Sequence, residues 1–160
     1  MMPETVSNFL HRYGVDYQVV RHAPTATSQE TAHAAHVPGD RLAKAVVLED
    51  GEDFTVALVP ATHRLDRWAI AEILQRPFFL AEEVDFAITF RDCRPGAVPA
   101  LGEAYGLRTI VDEVLFDQPH VFFESGDHEE VVRVDAAAFA RLMAHAKRAV
   151  ISRRVGRSAS

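Results

Sequence analysis

"LAKAVVLEDGEDFTVALVP", residues 42–60, decides the fold. Two runs rich in β-branched and apolar residues flank Asp50-Gly51, a dipeptide that closes tight turns. The stretch therefore reads as a β-hairpin with strands over 42–49 and 53–60. Side chains alternate along a strand, so Leu42, Lys44, Val46 and Leu48 share one face. Lys44 is one of only two lysines in the chain, the other 15 of its 17 basic residues being arginine. An ammonium in an apolar row is costly unless its end reaches water or an anion. Three readings fit: a lysine snorkelling from an edge strand, a pocket lysine that holds an anion, and a desolvated amine that forms a Schiff base.

Working outward, Val6, Phe9, Leu10 and Tyr13 recur at helical spacing and predict a helix over 3–13 that ends at Gly14. A strand follows in "VDYQVVRH". Thr27 with Glu30 makes a capping box that starts a short helix. Beyond the hairpin, "DRWAIAEIL" reads as a helix capped near Asp66, "FFL" as a short strand and "AEEVDFAITF" as a helix. "CRPGAVPALG", with two prolines and two glycines, is a loop. "LRTIVD" is a strand, and "HVFFES" and "EEVVRV" form a second hairpin across "GDH". "DAAAFARLMAHAKR" closes the chain as a helix with Asp135 as N-cap. Hairpins mixed with helices, without βαβ alternation, imply an α+β fold with a mainly antiparallel or mixed sheet.

The 160 residues, 48% of them apolar, suit one domain with a sizeable core. No run is apolar enough for a membrane helix, and "MMPETVSNFL" lacks the pattern of a signal peptide, so a cytoplasmic protein is expected. The lone Cys93 rules out an internal disulfide and a cysteine-based zinc cluster. Net charge is −6, yet from Ala136 onward there are six basic residues and no acids. An acidic body is a poor general binder of nucleic acid, which leaves room only for a local basic notch. The tail "SRRVGRSAS" reads as a frayed end, with an RNA-touching arm as the alternative. The division expected is a domain over 1–147 and a basic tail over 148–160.

Candidate chemistry lies in four places. Lys44 is the first. In "RPGAVPALG", Gly96 permits positive φ and close approach of a ligand to backbone amides, which could form a nest for an oxyanion. His22 and His128 sit at strand ends, where sites are often lined. His33 with His36, and His63 with Asp66, lack a third ligand at fixed spacing, so no metal is expected. No G-x-S-x-G elbow or phosphate-binding P-loop is present.

"VDYQVVRHAPTATSQETAHA", "LAKAVVLEDGEDFTVALVPATHRLD", "CRPGAVPALGEAYGL" and "VFFESGDHEEVVRVDAAAFARLM", taken in order, resemble the YbaK/EbsC-like family, free-standing relatives of the editing domain of bacterial prolyl-tRNA synthetase. The likeness spans about residues 3–144. It implies a single α+β domain with a mixed, barrel-like sheet flanked by helices. It also implies a deacylase that cleaves the ester between a wrong amino acid and the 3′ adenosine of a tRNA, without a cofactor. Lys44 falls on the family's lysine near the terminal adenosine. Gly96 falls on the first glycine of a G-x-x-x-P loop whose amides, here those of Gly96, Ala97 and Val98, would hold the ester carbonyl. A ribose hydroxyl or bound water would then be the nucleophile. His22 and Thr27 match an H-x-P-x-x-T segment, and Gly126 and His128 fall in the pocket turn "SGDH".

The chain departs from the pattern at Ala100, where the family has proline and this sequence has moved it to Pro99, and at Ala45, where some relatives are polar. Implied partners are the acceptor end of an aminoacyl-tRNA and a synthetase or elongation factor that hands it over, with no membrane. Two other functions fit the residues: a non-catalytic module that binds aminoacyl-adenosine or a nucleotide, and a small-molecule hydrolase or Schiff-base enzyme built on Lys44.

Overall fold

The computed structural model describes residues 1–156. Its centre is the hairpin of β2 (Leu42–Glu49) and β3 (Phe54–Pro60), paired in register from Ala43 opposite Pro60 to Glu49 opposite Phe54. The turn between them is held by the Asp50 carboxylate, which accepts the N–H groups of Glu52 and Asp53 at 3.1 and 2.9 Å. Gly51 supplies the positive φ of 93°.

Around the hairpin stand β1 (Gln18–Arg21), β5 (Phe79–Leu80), β6 (Arg108–Asp112), β7 (His120–Glu124), β8 (Glu130–Asp135) and β9 (Lys147–Ala149). The eight-stranded sheet runs β1-β8-β7-β2-β3-β6-β9, with β5 added against β2. It is mixed: β2 with β7, β3 with β6 and β6 with β9 are parallel, and the other pairs are antiparallel. A separate ribbon joins β4 (His63–Leu65) to β10 (Ser152–Arg154).

Alternation divides the sheet's side chains between two faces. One face, with Ala43, Val47, Val56, Leu58, Phe123 and Val132, packs on α1 (Glu4–Arg12) and α5 (Ala136–Leu142) to form the main core. The other face carries two smaller clusters. Leu42, Phe122 and Val131 lie under α2 (Ser28–Ala34), while Leu48, Val59 and Ile110 lie under α3 (Arg67–Leu74). Lys44 shares the row of Leu42 and Leu48 and stands in the gap between these clusters. The capping box of Thr27 and Glu30 is formed, and Asp66 caps α3.

Two predicted helices shorten. In the 81–90 stretch only α4 (Glu83–Phe86) is helical, followed by turns that bring Phe90 edge-on to Phe86 at 5.8 Å. The last helix ends at Leu142, and Lys147 lies in β9 rather than in the helix. Pairing with β6 and burial of Ile151 override local helix propensity there.

The frayed-end reading of 152–160 is corrected for 152–154, which form β10. Buried Asp112 accepts the Ile151 N–H at 3.0 Å and the Ser152 hydroxyl at 2.6 Å, which docks β10. The expected division at 147/148 falls inside β9, and Arg157 lies outside the described residues. Among the described residues no helix is long and apolar enough to cross a membrane.

Candidate functional site

A pocket opens where the sheet parts. Along one edge, β2 pairs with β7 only at Leu42 and Ala43, and with β5 only at Leu48 and Glu49. The intervening edge at Lys44 and Ala45 faces a cavity of about 470 Å³, mouth included. Thr25–Ser28 wall it from the start of α2, Gly96 and Val98 from the Pro/Gly loop, and Glu124 and His128 from the β7–β8 hairpin.

Lys44 is half-buried and has no hydrogen bond or ion pair among the described residues. Burial, together with nearby Arg64, holds its ammonium below the usual lysine pKa. The cation is thus partly dehydrated and uncompensated, a state that an incoming anion would relieve.

Two bonds clamp the loop opposite. The Arg94 N–H donates to the Gly126 carbonyl at 2.8 Å, and His128 Nε2–H donates to the Pro95 carbonyl at 2.5 Å. That second bond fixes the tautomer and leaves Nδ1 facing Glu124 Oε1 at 3.8 Å, too long for a direct hydrogen bond. Gly96 has φ +79°, and a Cβ there would lie 3.5 Å from the His128 ring. The torsion favours glycine, whereas the contact is an ordinary van der Waals one.

The amides of this loop are not equally available. The Gly96 N–H donates to Glu83 Oε1 at 2.8 Å, and the Ala97 N–H to the Arg94 carbonyl at 3.0 Å. Val98 N–H has no acceptor among the described residues, and Val98 lines the pocket.

Of the residues singled out in the sequence, Lys44, Gly96, Val98, Thr27 and His128 meet in this cavity. Ala97 and Ala100 are buried beside it, and Ala100 belongs to the main core. The change from proline at that position therefore alters packing behind the loop. Gly126 is a packing glycine, since a Cβ would come within 2.5 Å of Pro3. His22 is not part of the lining; its Nδ1–H donates to the Ala23 carbonyl at 2.7 Å.

Sequence reasoning missed Glu124. Its carboxyl, largely buried, is pushed above the ordinary glutamate value by desolvation, although the Gly126 N–H donates to it at 3.2 Å. An acid that ends an apolar strand just before a turn was the available signal. Free cation, free amide and desolvated carboxylate around one cavity suit a zwitterionic or ester-bearing ligand with an anion at its edge. Among the described residues no group of three His, Cys, Asp or Glu side chains could hold a metal.

Known structures share this architecture. The chain superposes on hypothetical protein APE2540 with a TM-score of 0.81 at 19% identity, covering 94% of this chain and 100% of that one. A proposed trans-editing enzyme for prolyl-tRNA synthetase matches at 0.80 and 22% identity, over 93% of this chain and 95% of that one. A signal-transduction protein proposed from Marinobacter aquaeolei VT8 matches at 0.77 and 19%, over 95% of this chain but only 31% of its own length. No curated protein sequence matches. At such identities the likenesses speak for the fold. A family model described as the aminoacyl-tRNA editing domain matches residues 22–142, which take in every residue of the pocket. The chain belongs to the aminoacyl-tRNA editing domain family.

Proposed function

We propose that the protein is a trans-acting deacylase that hydrolyses the ester between a small, wrongly attached amino acid and the 3′ adenosine of a tRNA. The observation that carries this reading is the meeting of Lys44 and the Gly96–Val98 loop, 52 residues apart from lysine to glycine, in one cavity. In this reading Lys44 holds the anionic terminal nucleotide at the pocket mouth, where a compact ammonium on a long stem suits a phosphate. Glu124 receives the α-ammonium of the amino acid, which supplies the counter-charge its buried carboxylate lacks. Val98 N–H donates to the ester carbonyl and to the oxyanion that forms when water, or the neighbouring ribose hydroxyl, attacks. The acyl–oxygen bond then breaks, and with water the products are the free amino acid and the tRNA 3′-hydroxyl. His128 acts on the geometry of the loop through Pro95.

A hydrolytic second sieve has a physical rationale. One methylene changes discrimination by only ~1–3 kcal/mol, so a synthetase cannot reject every near-isostere by binding alone. Family membership and the likeness to a proposed trans-editing enzyme support the reading. A cytoplasmic site of action, with a synthetase or elongation factor handing over the substrate, belongs to the same proposal.

The test is a panel of tRNAs mischarged with small amino acids. Wild type should release at least one amino acid above the spontaneous rate, and Lys44→Ala should lower kcat/KM by about ten- to a hundredfold, the worth of a charged hydrogen bond. Inactivity across the whole panel would refute the proposal. A second reading, a binding module for aminoacyl-adenosine, is favoured by the internal bonds of the Gly96 and Ala97 amides. Tight binding of a non-hydrolysable aminoacyl-adenosine without turnover of any ester would select it.

A further inference from the structure

Lys44 borders a second cavity on its far side. This open groove, about 1680 Å³ with the solvent at its mouth included, runs between the β4–β10 ribbon and the start of α3. It presents Arg64, Arg67, Arg153 and Arg154 besides Lys44, with Asp66 as the only acid in its lining. Arg153 pairs with Asp66 at 3.3 Å and Arg154 with Asp40, whereas Arg64 and Arg67 have no carboxylate partner among the described residues.

Two of these charges are placed against local preference. Arg64 sits directly opposite Arg153 across the antiparallel ribbon, where like charges repel. Arg67 begins α3, whose positive dipole end favours an acid. Each placement becomes favourable once an anion bridges the cations. The lining also includes Trp68, 84% exposed and the single tryptophan of the chain. A bare indole sharing a groove with four arginines matches a chain of phosphates carrying unpaired bases, because bases stack on aromatic faces while cations follow the backbone.

We propose that this groove binds a single-stranded RNA segment, with a base stacked on Trp68 and phosphates held by Arg64, Arg67, Arg153 and Arg154. Resting on the deacylase reading, the segment is the unpaired 3′ end that carries the amino acid, since Lys44 lines both cavities and joins groove to pocket. The acidic body then needs no broader nucleic-acid surface. The ribbon that holds three of these four arginines exists because Asp112 docks Ile151 and Ser152.

Trp68 reports its own site. Titration of the full-length protein with an uncharged single-stranded RNA octamer should quench tryptophan fluorescence. The logarithm of affinity should fall with the logarithm of salt with a slope of about −2 to −3, the release expected for three or four phosphate contacts. The double variant Arg64→Ala/Arg67→Ala keeps the fluorophore and should bind about tenfold more weakly or worse. Both side chains are exposed, and circular dichroism verifies that the variant is folded. No salt-dependent quenching, an unchanged affinity in the double variant, or equal quenching by a blunt RNA duplex or by polyglutamate would each overturn the groove assignment. The octamer carries no ester, so this result is independent of whether the protein hydrolyses aminoacyl-tRNA.

Discussion

Glu124 and Cys93 show how burial sets chemistry one side chain at a time. Desolvation raises the Glu124 carboxyl above its ordinary value of 4.5, so the folded protein holds that proton more tightly than the unfolded chain. Its contribution to stability is complete below about 4.5 and is lost as pH rises through the folded value. Glu124→Gln keeps an acceptor for the Gly126 N–H and removes the titration. Its melting temperature relative to wild type should therefore climb between pH 4.5 and 7, and a flat or falling difference would contradict the assignment. Cys93 is half-buried, and burial pushes its thiol up to about 12 while it shares a 3.2 Å contact with the Tyr105 hydroxyl. Its reaction with Ellman's reagent at pH 8 should be at least about a hundredfold slower than that of a free thiol, because the thiolate is the reactive form.

Lys44 was legible at this scale because a charge in an apolar row breaks the alternation. Glu124 was not, because its neighbours Val121 and Phe123 make the strand look wholly structural.

Elements with local signals were read well. The Asp50-Gly51 turn, the Thr27–Glu30 capping box and the Asp66 cap each bond within three residues of themselves. The C-terminal elements were misread because their determinants lie far away. β9 exists through pairing with β6, and β10 through buried Asp112, about 40 residues upstream. Asp112→Ala leaves the Ile151 N–H and the Ser152 hydroxyl without their acceptor inside the protein. It should cost about 1–3 kcal/mol by denaturant unfolding. Trypsin should then cut at Arg153 or Arg154 in the variant well before wild type; equal cleavage would show that the ribbon is held by something else.

At the scale of the whole molecule, sheet topology brings distant residues together. β2 runs between β7 and β3, and β7 and β5 each cover only one end of its free edge. The uncovered middle, with Lys44, opens to the pocket on one side and to the arginine groove on the other. The sequence disclosed the class of fold, and through motifs in register it singled out Thr27, Lys44, Gly96, Val98 and His128 of the pocket lining. It could not disclose the groove, because Arg64 and Arg153 lie 89 residues apart and meet only across the ribbon.

On the proposed function, the Lys44 pocket receives the aminoacyl group. The most direct measurement is an amide-resonance titration of the protein with aminoacyl-adenosine whose ester is replaced by an amide. The largest shifts should fall on Gly96, Val98, Glu124 and His128, and Lys44→Ala should abolish them. Shifts centred instead on the separate cavity of Leu107, Met143 and His145, or no saturable shifts at all, would contradict it.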